Sequence, residues 1–149
     1  MQEIIRQIIS NRILISGACG WLSAQVLKTI IFAITNHRID MSRLVGDGGM
    51  PSGHSATVTA IAVSCGIEQG FDSPVFALAC FVAIIVMHDA MGVRLETGKQ
   101  SKVINHLVEI VYAKDLSPEE KLKEFVGHTP LQVFFGFLLG FLIAVVIHI

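Results

Sequence analysis

From Thr129 to Ile149 the sequence reads TPLQVFFGFLLGFLIAVVIHI and contains no aspartate, glutamate, lysine or arginine. A helix needs about 20 predominantly apolar residues to cross the hydrocarbon core of a bilayer. Backbone amides in lipid must be satisfied within the segment, so a continuous apolar run of this length predicts a spanning helix. Ile13–Ile34 and Ser73–Val93 are comparable runs, while Ser55–Ile67, reaching Gly70 if the helix continues, is marginal in length. Hydrophobic residues make up 52% of the chain and charged residues 15%, with a mean hydropathy of +0.65. Ordinary soluble domains carry about 25% charged residues. The 149 residues are therefore read as a single integral membrane domain, 1–149, with membrane lipids as its surroundings. Its fold class is all-α: a polytopic helical bundle of about four transmembrane helices, plus interfacial helices between the third and fourth. A net charge of −1 supplies no basic field for nucleic acid.

The flanks and small residues refine this picture. MQEIIRQIISNR is amphipathic and lacks a small-residue cleavage site, so it reads as an interfacial helix and not as a cleaved leader. Lys28 lies near enough to the end of the first run to snorkel. Gly17, Gly20 and the GxxxG pair Gly136–Gly140 predict close helix approach, and the same spacing is compatible with a homo-oligomer. Cys19, Cys65 and Cys80 all fall in apolar runs and read as small buried hydrophobes. Between the third and fourth runs, KVINHLVEIVY predicts an amphipathic helix. SPEEKLKEF predicts a second, opened by Ser117 as N-cap and Pro118 at the first helical position. Together they would form a helical hairpin on the membrane surface.

Four crossings put the polar motifs on one side. Call the side holding the N-terminus A. Loop 35–54 and region 94–128 then both lie on side B, with Arg38, Arg43, Arg94, Lys99, Lys102, Lys114, Lys121 and Lys123, against Arg6 and Arg12 on side A. By the positive-inside rule B is cytoplasmic, and the domain belongs to the cell membrane.

The motif GDGGMPSGHSA ends in a helix start. Ser52 suits the N-cap, Gly53 lets a ligand reach the backbone, and first-turn amides with the positive end of the helix dipole suit a phosphate. His54 then stands where a proton could be given or taken. A plain helix start whose histidine meets headgroups fits the same residues. GHTPLQV repeats the arrangement, with Thr129 as cap, Pro130 in the first turn and His128 just outside. Two histidines on one membrane side suggest a nucleophile at phosphorus paired with a proton donor to the leaving oxygen. Asp89, near the end of the third run, is an ionisable group in a costly position and a candidate catalytic orienter. Arg43, Arg94 and Lys99 are candidate phosphate ligands beside Ser52 and Gly53, although Asp89 could simply pair with Arg94 and Lys99 could meet headgroups. His37, His88, His106 and His148 carry no supporting context. The histidine spacing suits no metal, and no cofactor is implied.

These motifs, GGMPSGHSA, DAMGVR and GHTPLQV, resemble a small bacterial and plant membrane family related to the type-2 phosphatidic acid phosphatase and haloperoxidase superfamily. The resemblance covers nearly the whole chain. It implies phosphate-binding backbone at Ser52 and Gly53, a general acid at His54 and a nucleophile at His128, without metal. Three departures stand out. The superfamily aspartate four residues after the nucleophile is Gln132 here, the arginine six before it is Leu122, and the lysine-led first motif has no match, since seven on from Lys28 is Thr35. The function implied is a membrane phosphatase, a hydrolase of a lipid-linked phosphate monoester or diphosphate. The alternative is a non-catalytic membrane protein binding a phosphate headgroup or a protein partner.

Overall fold

Small side chains decide which helix sits at the centre. Helix α3 (Gly53–Gln69) is built around GHSATVTAIAVSCG and buries Ser55, Ala56, Thr59, Ala60, Ala62 and Ser64. It packs against α2 (Arg12–Asn36), α4 (Pro74–Met91) and α6 (Pro130–His148), each of which touches it more than they touch one another. The computed structural model describes residues 1–38, 40–44, 49–112, 117, 120–122 and 127–149, with the backbone alone for Ser42, Arg43, Arg94 and Leu95. Among these residues all regular structure is helical, completed by α1 (Gln2–Ser10), a short 3-10 turn at Met41–Leu44 and α5 (Val93–Tyr112). The protein is an all-α membrane bundle.

Contact pairs give the directions. Gly136 and Gly140 of α6 meet Ser52 and Ala56 at the start of α3, while His148 meets Ser64 near its end, so α3 and α6 run parallel. Gly17 faces Ile61 and Gly20 faces Ala56, so α2 runs antiparallel to α3. A tight turn with Ser73 N–H bonded to Gly70 O reverses the chain into α4, where Ser73 caps and Pro74 starts the helix. Helices α2 and α6 and the α4–α5 run are long and apolar enough to cross a membrane. At 17 residues α3 is about 26 Å long, the marginal length its sequence suggested, and it lies packed among its neighbours. Its low hydropathy has a direct cause: α4 exposes Leu78, Phe81 and Ile85 to lipid and α6 exposes Phe134 and Leu142, whereas α3 faces other helices.

Glycine sets the spacing. A Cβ at Gly136 would lie 2.5 Å from Ser52 O, one at Gly20 would lie 2.9 Å from Ala56 O, and one at Gly140 would collide with Ala56 O. Ala56 is thus gripped from both sides, by α2 and by α6. Far from the PSGH loop the bundle is fastened again. His148 Nδ1 donates to Ala144 O at 2.7 Å, its Nε2 is 3.2 Å from both Glu68 Oε1 and Ser64 Oγ, and Arg12 reaches Glu68 at 4.0 Å. His148, which lacks context in the sequence, is a tie between α6 and α3.

Helix α1 buries nothing and exposes Ile4, Ile5, Ile8 and Ile9 along one face, as an interfacial helix should. Between the third and fourth spans the outcome differs from the expected hairpin. Helix α5 begins at Val93, well before KVINHLVEIVY. Ser117 does open a turn, accepting from Glu120 N and Lys121 N and receiving the Glu120 carboxylate at its own amide. Leu122 then leaves that turn, because Asn105 clamps both its N–H and its C=O, at 2.9 and 3.0 Å. The rest of SPEEKLKEF, at 118–119 and 123–125, lies outside the described residues.

Gly140→Leu should cost at least about 1–3 kcal/mol through overpacking, seen as early unfolding in detergent. Leu142→Ala, on the lipid-facing side, should unfold nearly as the wild type does.

Candidate functional site

The start of α3 and the start of α6 come together because the two helices are parallel and in glycine contact. Ser52, fully buried, caps α3 by accepting from Ser55 N, and Ser55 Oγ also bonds Ser52 Oγ at 3.1 Å. Its own N–H donates to the Gln132 main-chain oxygen at 3.0 Å, which joins the PSGH loop to α6. Thr129 caps α6 in a full capping box with Gln132, with Pro130 in the first turn. The caps predicted at Ser52 and Thr129 are both present.

This join brings the two histidines into contact. The rings of His54 and His128 have centroids 5.8 Å apart and meet edge to face at 63°. His54 is half-buried and His128 is 2% exposed. The backbone N–H of His128 donates to Ala90 O of α4 at 2.8 Å, so three helices fix its position. The N-termini of α3 and α6, where first-turn amides lack helical acceptors, thus lie side by side.

Gln132 is the centre of the arrangement. Its Oε1 accepts from Thr129 N at 3.0 Å and lies 3.2 Å from His128 Nδ1. The position where the superfamily resemblance implies aspartate therefore still supplies an oxygen to the second histidine, but from a neutral amide.

Lys28 departs from expectation. It does not snorkel outward: it is 5% exposed, its ammonium donates to Gln25 Oε1 at 2.7 Å, and its stem lies along the loop before PSGH. Gly49 there has φ +82°, and a Cβ on it would lie 3.1 Å from Lys28 Cγ. Gln25 Oε1 in turn lies 3.9 Å from where a Gly53 Cβ would stand. A buried cation is thus held one residue away from the start of α3. Nothing crowds Gly53 closer than 3.8 Å, so packing alone does not demand a glycine there.

The remaining candidates separate. Asp89 is half-buried on α4, next to the Ala90 carbonyl that holds His128. Arg43 lies in the 3-10 turn packed on α2, and Arg94 in the first turn of α5, with both side chains outside the described residues. Lys99 is not brought to the histidines. Its ammonium pairs with Glu96 at 2.6 Å on the exposed face of α5, a helix that packs on α4 and not on α3 or α6.

Residues 9–143 match the divergent PAP2 family. The chain belongs to that family. It is also 39% identical over 152 aligned positions to the uncharacterized membrane protein YuiD of Bacillus subtilis (strain 168), covering 95% of this chain and 96% of that protein. No solved structure matches the chain. The PSGH and GHTP motifs and the whole of α3 fall within the matched span, as does α6 up to residue 143. Membership gives the PAP2 relationship and an integral membrane setting.

Lys28 and Gln132 are the site residues that sequence reasoning did not select. A lysine inside an apolar run beside a glutamine three residues earlier is a usable signal for inward burial. Thr129→Val removes the α6 cap and should destabilise the protein by about 1 kcal/mol, read as an earlier thermal transition in detergent.

Proposed function

We propose that this family member is a membrane phosphohydrolase that cleaves a lipid-linked phosphate monoester or diphosphate through a phosphohistidine. The observation carrying the reading is the contact between His54 and His128 at two adjacent helix N-termini, with Lys28 buried on α2 against Gln25 and Gly49. In this mechanism the phosphoryl group lies over the first-turn amides of α3, at Ser52 and Gly53. His128 Nε2 attacks phosphorus, and the bond to the leaving oxygen breaks as His54 delivers its proton there. Water, deprotonated by His54, then hydrolyses the N–P bond. Lys28 offsets charge on the phosphoryl oxygens, with Arg43 of the 3-10 turn and Arg94 at the start of α5 as its proposed partners. Asp89 orients the histidine side of the site through α4, and Lys99 takes no part.

A lipid substrate is favoured by the groove between α4 and α6. It measures about 440 Å³ and is lined by Thr59, Met87, Phe76, Phe137 and Phe141, extending to Ile67 and Phe71 at the α3–α4 turn. Such a volume and such an apolar lining suit a hydrocarbon tail. The excess of Lys and Arg on the loops flanking the site supports a cytoplasmic orientation in the cell membrane. A second reading, binding of a phosphate headgroup or a protein partner without turnover, is favoured by Gln132, whose neutral amide gives an imidazolium less support than a carboxylate would.

The test is purified protein assayed against phosphatidic acid, phosphatidylglycerophosphate and polyprenyl diphosphate, with alkaline trapping of phosphohistidine. His128→Ala should abolish trapping, and His54→Ala should lower turnover about 100- to 10,000-fold. Turnover that survives both changes overturns the mechanism. Phosphate or vanadate binding without turnover in the wild type selects the second reading.

A further inference from the structure

We infer that Gln132 is a positioning residue that locks His128 in the Nδ1–H tautomer, with the capping box of α6 as the device that sets the lock. The inference rests on the phosphohistidine reading only for its catalytic consequence, since the tautomer follows from hydrogen-bond chemistry alone.

Thr129 supplies a donor of known kind. A backbone N–H can only donate, and Thr129 N lies 3.0 Å from the outer atom of the Gln132 amide. That atom must therefore be the oxygen, because the amide nitrogen would oppose one donor with another. The orientation that an isolated glutamine leaves ambiguous is settled here by the helix cap. The same oxygen lies 3.2 Å from His128 Nδ1. An amide oxygen has two lone pairs and no proton, so Nδ1 must carry the hydrogen. In the neutral ring the lone pair then belongs to Nε2, the nitrogen farther from the helix start.

Three further contacts keep the lock stiff. Thr129 Oγ1 receives Gln132 N–H at 3.4 Å, closing the capping box, and Gln132 O receives Ser52 N–H at 3.0 Å. The backbone of His128 is held by Ala90 O. One residue thus ties the His54-bearing loop to α6 through its main chain and orients His128 through its side chain.

Its neutrality has a chemical consequence. When Nε2 bonds phosphorus, the ring keeps its Nδ1 proton and becomes cationic, as the leaving oxygen departs with the proton from His54. A carboxylate would neutralise that cation, whereas an amide only solvates it. Gln132 therefore fixes the attacking nitrogen without holding the phosphorylated ring as an ion pair.

The test is ¹⁵N NMR of histidine-labelled full-length protein in detergent at alkaline pH, with His128→Asn used to assign the signal. The wild type should show a pyrrole-type Nδ1 and a pyridine-type Nε2 at His128. Gln132→Glu, which keeps an acceptor in the capping box, should preserve that pattern. Gln132→Met should lose it while His54 and the other rings keep theirs, and turnover on the best substrate should fall about 100-fold, rescued by Gln132→Glu. An Nε2–H pattern in the wild type, or a pattern unchanged in Gln132→Met, overturns the inference. The Nδ1–H pattern in a protein that turns over no substrate leaves the lock standing and removes the phosphohydrolase reading instead.

Discussion

Two glycines on α6 press directly on the backbone of α3, and most of the molecule follows from that contact. Lipid gives helices no hydrophobic reason to associate, so close van der Waals approach and interhelical hydrogen bonds must do the work. Gly136 and Gly140 bring α6 against Ser52 and Ala56, and Gly20 brings α2 against the other side of Ala56. A helix approached this closely from both sides keeps small residues where it is touched, as at Ser55, Ala56 and Ala60. Its register against α6 is then fixed, and the N-termini of the two helices lie side by side.

That register is what joins the histidines. PSGH and GHTP are each an ordinary capped helix start: Ser52 caps one and Thr129 the other. Placed together, they bring two helix starts and two imidazoles into contact, and Gln132 bonds to both motifs. At the other end of the same helix pair, His148, Glu68 and Ser64 repeat the fastening with different chemistry. Polar contacts thus close the α3–α6 pair at both ends, with glycine and alanine contacts between.

Helix starts, spans and motif histidines were legible in the sequence because each depends on local chemistry: apolar length, proline in the first turn, serine or threonine before it. What was not legible depends on packing. Lys28 reads as a snorkelling side chain because the distance to a helix end is visible, while the direction it faces is set by Gln25 and the Gly49 loop. Gln132 reads as the loss of an aspartate, because a motif records charge and not the fact that an amide oxygen can accept in the same place. The helix expected after Ser117 gives way at Leu122 to a clamp from Asn105, seventeen residues earlier in the chain. Its short apolar run made α3 look marginal as a span, whereas it buries more residues than α2, α4 or α6 does.

Helix α4 stands apart from this rigid pair. It packs on α3 but only lightly on α6, and the apolar groove opens between the two. Ala90 O accepts from His128 N–H next to Asp89, so the backbone of the second histidine is tethered to α4 as well as to α6. The helix that forms one wall of the apolar groove thus also holds the residue before the α6 cap.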